Sequence, residues 1–501
     1  MGGGGESGQP RSGLMSRLGA SRASCTEGAS PAGRPLSRRQ VWALGLVGVL
    51  LAFLYGANFT AIRLVIEAEG PSLFRVYPVF FALTFLVYLA GVRLTWGAGR
   101  RVALAAIVLG VVFRFFMLPT ELVLSTDPYR YLWDGRVQVA GINPYRFSPE
   151  APELAGLRDT RIHPRINRSW ARTIYPPGAE ALFAGLALAA PDRIWALRLL
   201  LIACEVATMV DLVVLLRRLD LPEGRVVVYA WAPLAIFEFA QAGHIDAAVI
   251  PLVLGALLAA GSGQSGVAGG LLGGAALVKL YPAILLPVLW RRGDARLPLT
   301  FLAVVALGYL PYAWGAGGKV LGFLPVYFAR FEEFNIGLRA LLTDGIGLTG
   351  TPARVVVSGL LAVLLAGVLV AIGRGRGDRL RDLTTACGMA VGAYLLLVPS
   401  TIHPWYIVWL VPFLAVLSGP GWWYLTAGVA LSYVAYTGGP VRVPGWARVV
   451  EYLPAYLGVL LSVLPGWIER APPGPALARL EAGPTGDACG SREEGERFIV
   501  P

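Results

Sequence analysis

An all-helical membrane protein with about 14 (12–14) spans is predicted from the 501-residue sequence by three observations. Hydrophobic residues make up 56% of the chain and charged residues only 15%, against roughly 25% charged in a typical soluble protein. The apolar residues gather in blocks that approach the ~20 residues a spanning helix needs. Arginine clusters separate those blocks at intervals that fit an alternating topology. A soluble globular enzyme, a disordered chain and a disulfide scaffold are all excluded.

The four cysteines form no CxxC or Cys/His cluster, so no structural zinc site is indicated. The net charge of +12 comes from arginines beside apolar blocks (Lys279 and Lys319 are the only lysines), which is a membrane signature and does not call for nucleic acid.

Along the chain, residues 1–39 read as a disordered basic tail, and residues 40–101 hold two N-terminal spanning helices. Residues 102–468 carry the main membrane domain, and 469–501 read as a second disordered tail. Apolar segments fall near 41–57, 75–94, 102–121, 194–216, 226–241, 246–261, 266–278, 282–290, 297–314, 354–373, 384–400, 404–418, 421–437 and 452–468. Several are short, and the pair meeting at Lys279-Leu280-Tyr281-Pro282 reads as one broken hairpin. Placing the arginine clusters at 34–39, 93–101, 217–225, 291–296 and 374–381 inside the cell puts both termini in the cytoplasm. The same choice sends 122–193, 242–246, 279–281, 315–353, 401–404 and 438–451 to the outer face of a plasma or inner membrane. Almost every chemically interesting polar residue then shares one face. The long loop 122–193 is expected to carry interfacial helices, one of them following Tyr175-Pro176-Pro177.

The most informative stretch is Asp127-Pro128-Tyr129-Arg130-Tyr131-Leu132-Trp133-Asp134-Gly135-Arg136, continuing to Gly141-Ile142-Asn143-Pro144-Tyr145. One reading is local: Asp127 caps a short helix with Pro128 at its first position, and Arg130 pairs with Asp134. The other puts a carboxylate at the bilayer surface among cations and rings, which suits a lipid-anchored anionic substrate bearing a sugar.

That run resembles the first outer loop of membrane glycosyltransferases of the C-type superfamily, most closely bacterial mannosyltransferase-like proteins that use polyprenyl-phosphate sugars. Tyr175-Pro176-Pro177-Gly178, Gly243-His244-Ile245-Asp246, Val278-Lys279-Leu280-Tyr281-Pro282 and His403-Pro404-Trp405-Tyr406 resemble later landmarks in the same order. The resemblance covers roughly 102–437. It implies inverting transfer of a hexose, mannose by family weight, from polyprenyl phosphate to an acceptor hydroxyl on a glycolipid, glycan or protein. A phosphate leaving group needs no general acid. The demand is for one carboxylate to take the acceptor proton and for positive charge where phosphate charge develops.

By motif position Asp127 is the base and Asp134 the alternative, an Asp134 pairing with Arg130 or Arg136 being the competing role. Arg130, Tyr131, Trp133, Arg136, Asn143 and Tyr145 are candidate substrate contacts. His244, Asp246, Lys279, Tyr281, His403 and Trp405 complete the set. Glu332 and Glu333 are weaker candidates, and His163 reads as a solvated loop residue. No metal site is indicated, although a divalent cation is left open. The absence of a P-loop, of a GxGxxG turn that opens a helix after a strand, or of an HExxH helix agrees with a lipid-linked donor. The alternative is a transporter or flippase for lipid-linked sugars, against which stands the concentration of polar residues at one face.

Overall fold

A computed structural model describes residues 33–67, 72–330, 334–345, 347, 350–398, 401–437 and 441–468. The two tails beyond residues 33 and 468 lie outside the described residues, as do Glu332 and Glu333. Helices dominate, and among the described residues extended pairing is limited to isolated bridges such as Phe334 with Thr401.

Among the described residues five helices are long and apolar enough to cross a membrane: Arg38–Ala57, Phe74–Thr95, Ile194–Arg218, Arg296–Tyr327 and Thr351–Gly375. A sixth is reached if Pro233–Gln241 and Ile245–Gly261, bent by 109° at the break between them, count as one. This falls short of the expected 14, and the reason is local. Apolar segments at 226–241, 282–290, 404–418 and 421–437 are divided among short α, 3-10 and π turns. Proline supplies part of the breakage, at Pro233, Pro282, Pro404 and Pro412. Composition marks a segment as apolar without saying whether it runs straight.

The two N-terminal spanning helices pack on the body of the molecule. Tyr55 and Tyr88 donate to the Trp231 and Val228 carbonyls at 3.1 and 2.7 Å. Beneath them the buried Arg114 lies 2.7 Å from the Glu205 carboxylate and donates to the carbonyls of Gly110 and Ala230. That pair joins helix Arg100–Phe115 to helix Ile194–Arg218.

Between those two helices the chain builds a structured segment. Helix Asp127–Val139 packs along helix Pro177–Ala189 so closely that a Cβ on Gly135 would lie 2.4 Å from the Phe183 carbonyl oxygen. At 13 residues and ~1.5 Å rise each, Pro177–Ala189 is too short to span a bilayer. The segment is pinned at its edge by Asn143, which donates to the Tyr312 carbonyl at 2.8 Å, and by the Tyr145 hydroxyl, which donates to the Tyr175 carbonyl at 2.6 Å.

Candidate functional site

Asp127 opens its helix, with Pro128 at the position where a missing N–H costs nothing. It does not cap the helix with its side chain. Thr126 occupies the cap position, and Ser125 Oγ accepts from the Asp127 N–H at 3.1 Å. The freed carboxylate instead accepts from the Asn167 side-chain amide at 2.6 Å. Asp127 remains half-buried. Its charge reaches His403, Asp246 and Tyr436.

The neighbouring wall comes from the break in the bent helix pair. Gly243 adopts φ +78°, a left-handed conformation that glycine takes without strain, and a Cβ there would lie 3.0 Å from Pro128 Cγ. This turn brings His244 and Asp246 beside the Asp127 helix. Asp246, fully buried, accepts from Lys279 Nζ at 3.1 Å and from Trp409 Nε1 at 3.2 Å. Lys279 is extended between helix Ser265–Val278 and the 3-10 turn Tyr281–Leu285. Its ammonium sits over the rings of Tyr406 and Tyr175, 5.1 and 5.9 Å from their centroids.

The third wall is a column of rings. Phe334, His403, Trp405 and His244 stack in succession, with centroid separations of 4.6, 4.1 and 3.7 Å. The Phe334 end is held by Ile402, whose N–H donates to the Phe334 carbonyl at 2.9 Å. Burial among these rings, opposed by the Asp127 charge, pushes the His403 imidazole down to about 3, so it is neutral at ordinary pH. His244 Nδ1 lies 2.8 Å from the Glu238 carbonyl oxygen. With that nitrogen donating, a neutral His244 presents Nε2 as an acceptor. His244 Nε2 and Trp405 Nε1 are both buried without a hydrogen-bond partner among the described residues. One unspent acceptor and one unspent donor therefore face each other's surroundings. That is the chemistry of a site that reads hydroxyls and oxyanions.

The remaining predicted residues are spent elsewhere. Arg130 Nε holds both Asp134 oxygens, at 2.9 and 2.8 Å, and Nη1 donates to the Ala171 carbonyl. Burial pushes the Asp134 carboxyl above its ordinary value, with Arg130 pulling it back. Burial, then the Asp134 charge, pushes the Glu180 carboxyl up further. Arg136 is clamped between Asp159 and Asp192 at 2.8 and 2.9 Å. Tyr131 stacks on Phe183 at 4.6 Å. Trp133 meets His163 at 5.2 Å, so His163 is half-buried against a ring and not simply solvated. Tyr281 packs at 5.0 and 5.2 Å from the rings of Tyr394 and Tyr406. The structure thus gathers Asp127, His244, Asp246, Lys279, His403 and Trp405, with Tyr281 at the margin. Arg136, Trp133, Asn143 and Tyr145 serve the framework.

Asn167, Glu238 and Phe334 were not foreseen. Each acts through a contact distant in sequence, and no motif marks it. Among the described residues no three His, Cys, Asp or Glu side chains come together as a metal site.

Residues 173–400 match the family model of glycosyltransferase family 87. The match supports a membrane glycosyltransferase. It covers less than half of the chain, taking in Tyr175, His244, Asp246, Lys279 and Tyr281 and stopping short of Asp127 and His403. No curated protein and no solved structure matches the chain.

Proposed function

We propose that the protein moves a hexose, mannose in the reading favoured here, from a polyprenyl-phosphate donor to an acceptor hydroxyl, with inversion. The observation that carries the reading is Asp127: a half-buried carboxylate whose side-chain partner among the described residues is the Asn167 amide, beside buried polar atoms that have no partner among those residues. In the reaction the acceptor oxygen forms a bond to the anomeric carbon as its proton passes to Asp127. The bond from that carbon to the phosphate oxygen breaks on the opposite face, and the electron pair leaves with the phosphate. Lys279, which has ammonium protons to spare beyond its bond to Asp246, offsets the charge that develops there. His244 Nε2 accepts from a sugar hydroxyl, and Trp405 Nε1 donates to a sugar or phosphate oxygen. The site opens on the outer face of a cell membrane, both termini being cytoplasmic, and the acceptor is a glycolipid, glycan or protein.

The test is transfer by the full chain in liposomes, with radiolabelled polyprenyl-phosphate mannose and a membrane extract as acceptor source. Label should move to a new product, and Asp127→Asn should reduce that rate by about 10²–10⁴ while the donor still binds. Unimpaired transfer by Asp127→Asn removes the mechanism. Label that crosses the bilayer still attached to polyprenyl phosphate makes the protein a flippase instead.

A further inference from the structure

On the other side of the Asp127 turn lies a cavity of about 720 Å³, within the ~300–1,000 Å³ range of small-molecule sites. Thr126 and Tyr129 form part of its wall, so it flanks Asp127 without including it. Four arginines line it: Arg161, Arg165, Arg193 and Arg198. The acids in the wall are Glu121 and Asp192, and Asp192 is already engaged by Arg136 at 2.9 Å.

Arg198 decides what the cavity is for. Its side chain is 1% exposed and donates to the carbonyls of Met117, Leu118, Thr120 and Gln241. It meets no carboxylate among the described residues, and its Nε is buried without a partner. A buried guanidinium neutralised only by carbonyl dipoles leaves a net positive charge at the cavity floor, which an anion would balance. Arg161, Arg165 and Arg193 form no ion pair among the described residues; Arg165 donates to the Arg161 carbonyl and lies over the Tyr129 ring, and against Glu121 the rim keeps a net positive charge. Beside Thr120, Thr126 and Tyr129 the rest of the wall is apolar and fits a membrane surface: Trp195 is exposed there, and Phe115 and Phe116 are exposed on the adjoining helix end.

We propose that this cavity is a binding site for the phosphate headgroup of an anionic membrane phospholipid, separate from the site of glycosyl transfer. The headgroup phosphate sits among Arg161, Arg165, Arg193 and Arg198, and the acyl chains run along the exposed aromatic side chains into the bilayer. Binding there braces the first turn of helix Asp127–Val139 from behind. The proposal stands whether or not the chain transfers a sugar. The same phosphate chemistry also exists in a polyprenyl-phosphate lipid, so the experiment separates the two sources.

The full chain is reconstituted in nanodiscs of equal phosphatidylglycerol and phosphatidylcholine with added polyprenyl phosphate, and retained lipid is identified by native mass spectrometry. Phosphatidylglycerol should be kept in preference to phosphatidylcholine, and less tightly as salt rises. Each of Arg161→Gln, Arg165→Gln and Arg193→Gln should weaken retention by about fivefold, and the triple variant by about a hundredfold. All three side chains are exposed, so the single variants remain readable if the triple variant folds poorly. Arg291→Gln/Arg292→Gln, outside the cavity, should change nothing. Equal retention of phosphatidylglycerol by the wild type and the single and triple variants overturns the proposal. So does loss of polyprenyl phosphate with phosphatidylglycerol retained, because the cavity would then be the seat of the donor phosphate.

Discussion

Asp127 and Asp134 stand about two turns apart on helix Asp127–Val139, so they begin with the same backbone and nearly the same face. Their surroundings separate them. Asp134 is 2% exposed, is gripped by Arg130 and shares its burial with Glu180. Asp127 is half-buried, has the Asn167 amide for a partner and lies close enough to His403 and Asp246 for its charge to reach them. A carboxylate neutralised by a guanidinium at 2.8 Å is committed to holding structure. A carboxylate that meets only an amide still has lone pairs available for a proton. The contrast lies in partners, not in residue type.

The sharpest way to break the comparison is to remove each charge in turn. Asp127→Asn should leave thermal unfolding in detergent nearly unchanged while transfer falls by about 10²–10⁴. Asp134→Asn should do the reverse, costing about 3–5 kcal/mol by leaving Arg130 buried without its partner. Should Asp134→Asn fold normally and lose transfer, the two assignments are exchanged. A double change tests the structural half alone: Arg130→Met/Asp134→Leu should recover most of the stability lost by either single change, measured as a coupling energy.

A smaller effect is expected at Asn167. Asn167→Ala removes one hydrogen bond to an ionised group, worth about 1.5–3 kcal/mol, and should slow transfer by roughly tenfold through loss of orientation. A normal rate in Asn167→Leu would show that the amide only fills space.

The smallest effect concerns the clamp that holds the loop segment. Burial acts to raise the Asp159 carboxyl, yet hydrogen bonds from Arg136 and from the N–H groups of His163 and Ile162 hold it below the ordinary carboxylate range. The stabilisation is therefore present above the unfolded-state value of about 3.9 and is lost as pH falls below it. Unfolding temperature should drop as pH falls below about 4, and Arg136→Gln should flatten that slope.

Much of this site could be read from motifs. Asp127, His244, Asp246, Lys279 and His403 stand in four separate runs, and the structure brings all four together. Gly243 and Pro282 marked breaks in apolar segments, because one permits a left-handed turn and the other removes an N–H. Asn167 was hidden among loop arginines, and Glu238 sits inside an apolar run where only the fold reveals its contact with Tyr433, at 2.9 Å. Arg136 looked available for phosphate because its partners Asp159 and Asp192 are distant in sequence, whereas the Arg130–Asp134 pair was visible as an i,i+4 spacing. Helix number was the weakest reading, since hydrophobicity reports burial in lipid or protein alike.

The buried Arg114–Glu205 pair bears on how the chain enters the membrane. An ionised side chain costs about 2.5–3.5 kcal/mol at the centre of an inserting helix and less near its end; Glu205 lies near the middle of Ile194–Arg218 and Arg114 in the last turn of Arg100–Phe115. Neither partitions cheaply until the other has been made, so Arg100–Phe115 should wait beside the insertion machinery until Ile194–Arg218 emerges from the ribosome. In a nascent chain stopped near residue 190, which the two preceding helices already anchor, a cysteine placed in Arg100–Phe115 should stay open to a water-soluble thiol reagent, and Arg114→Leu should protect it.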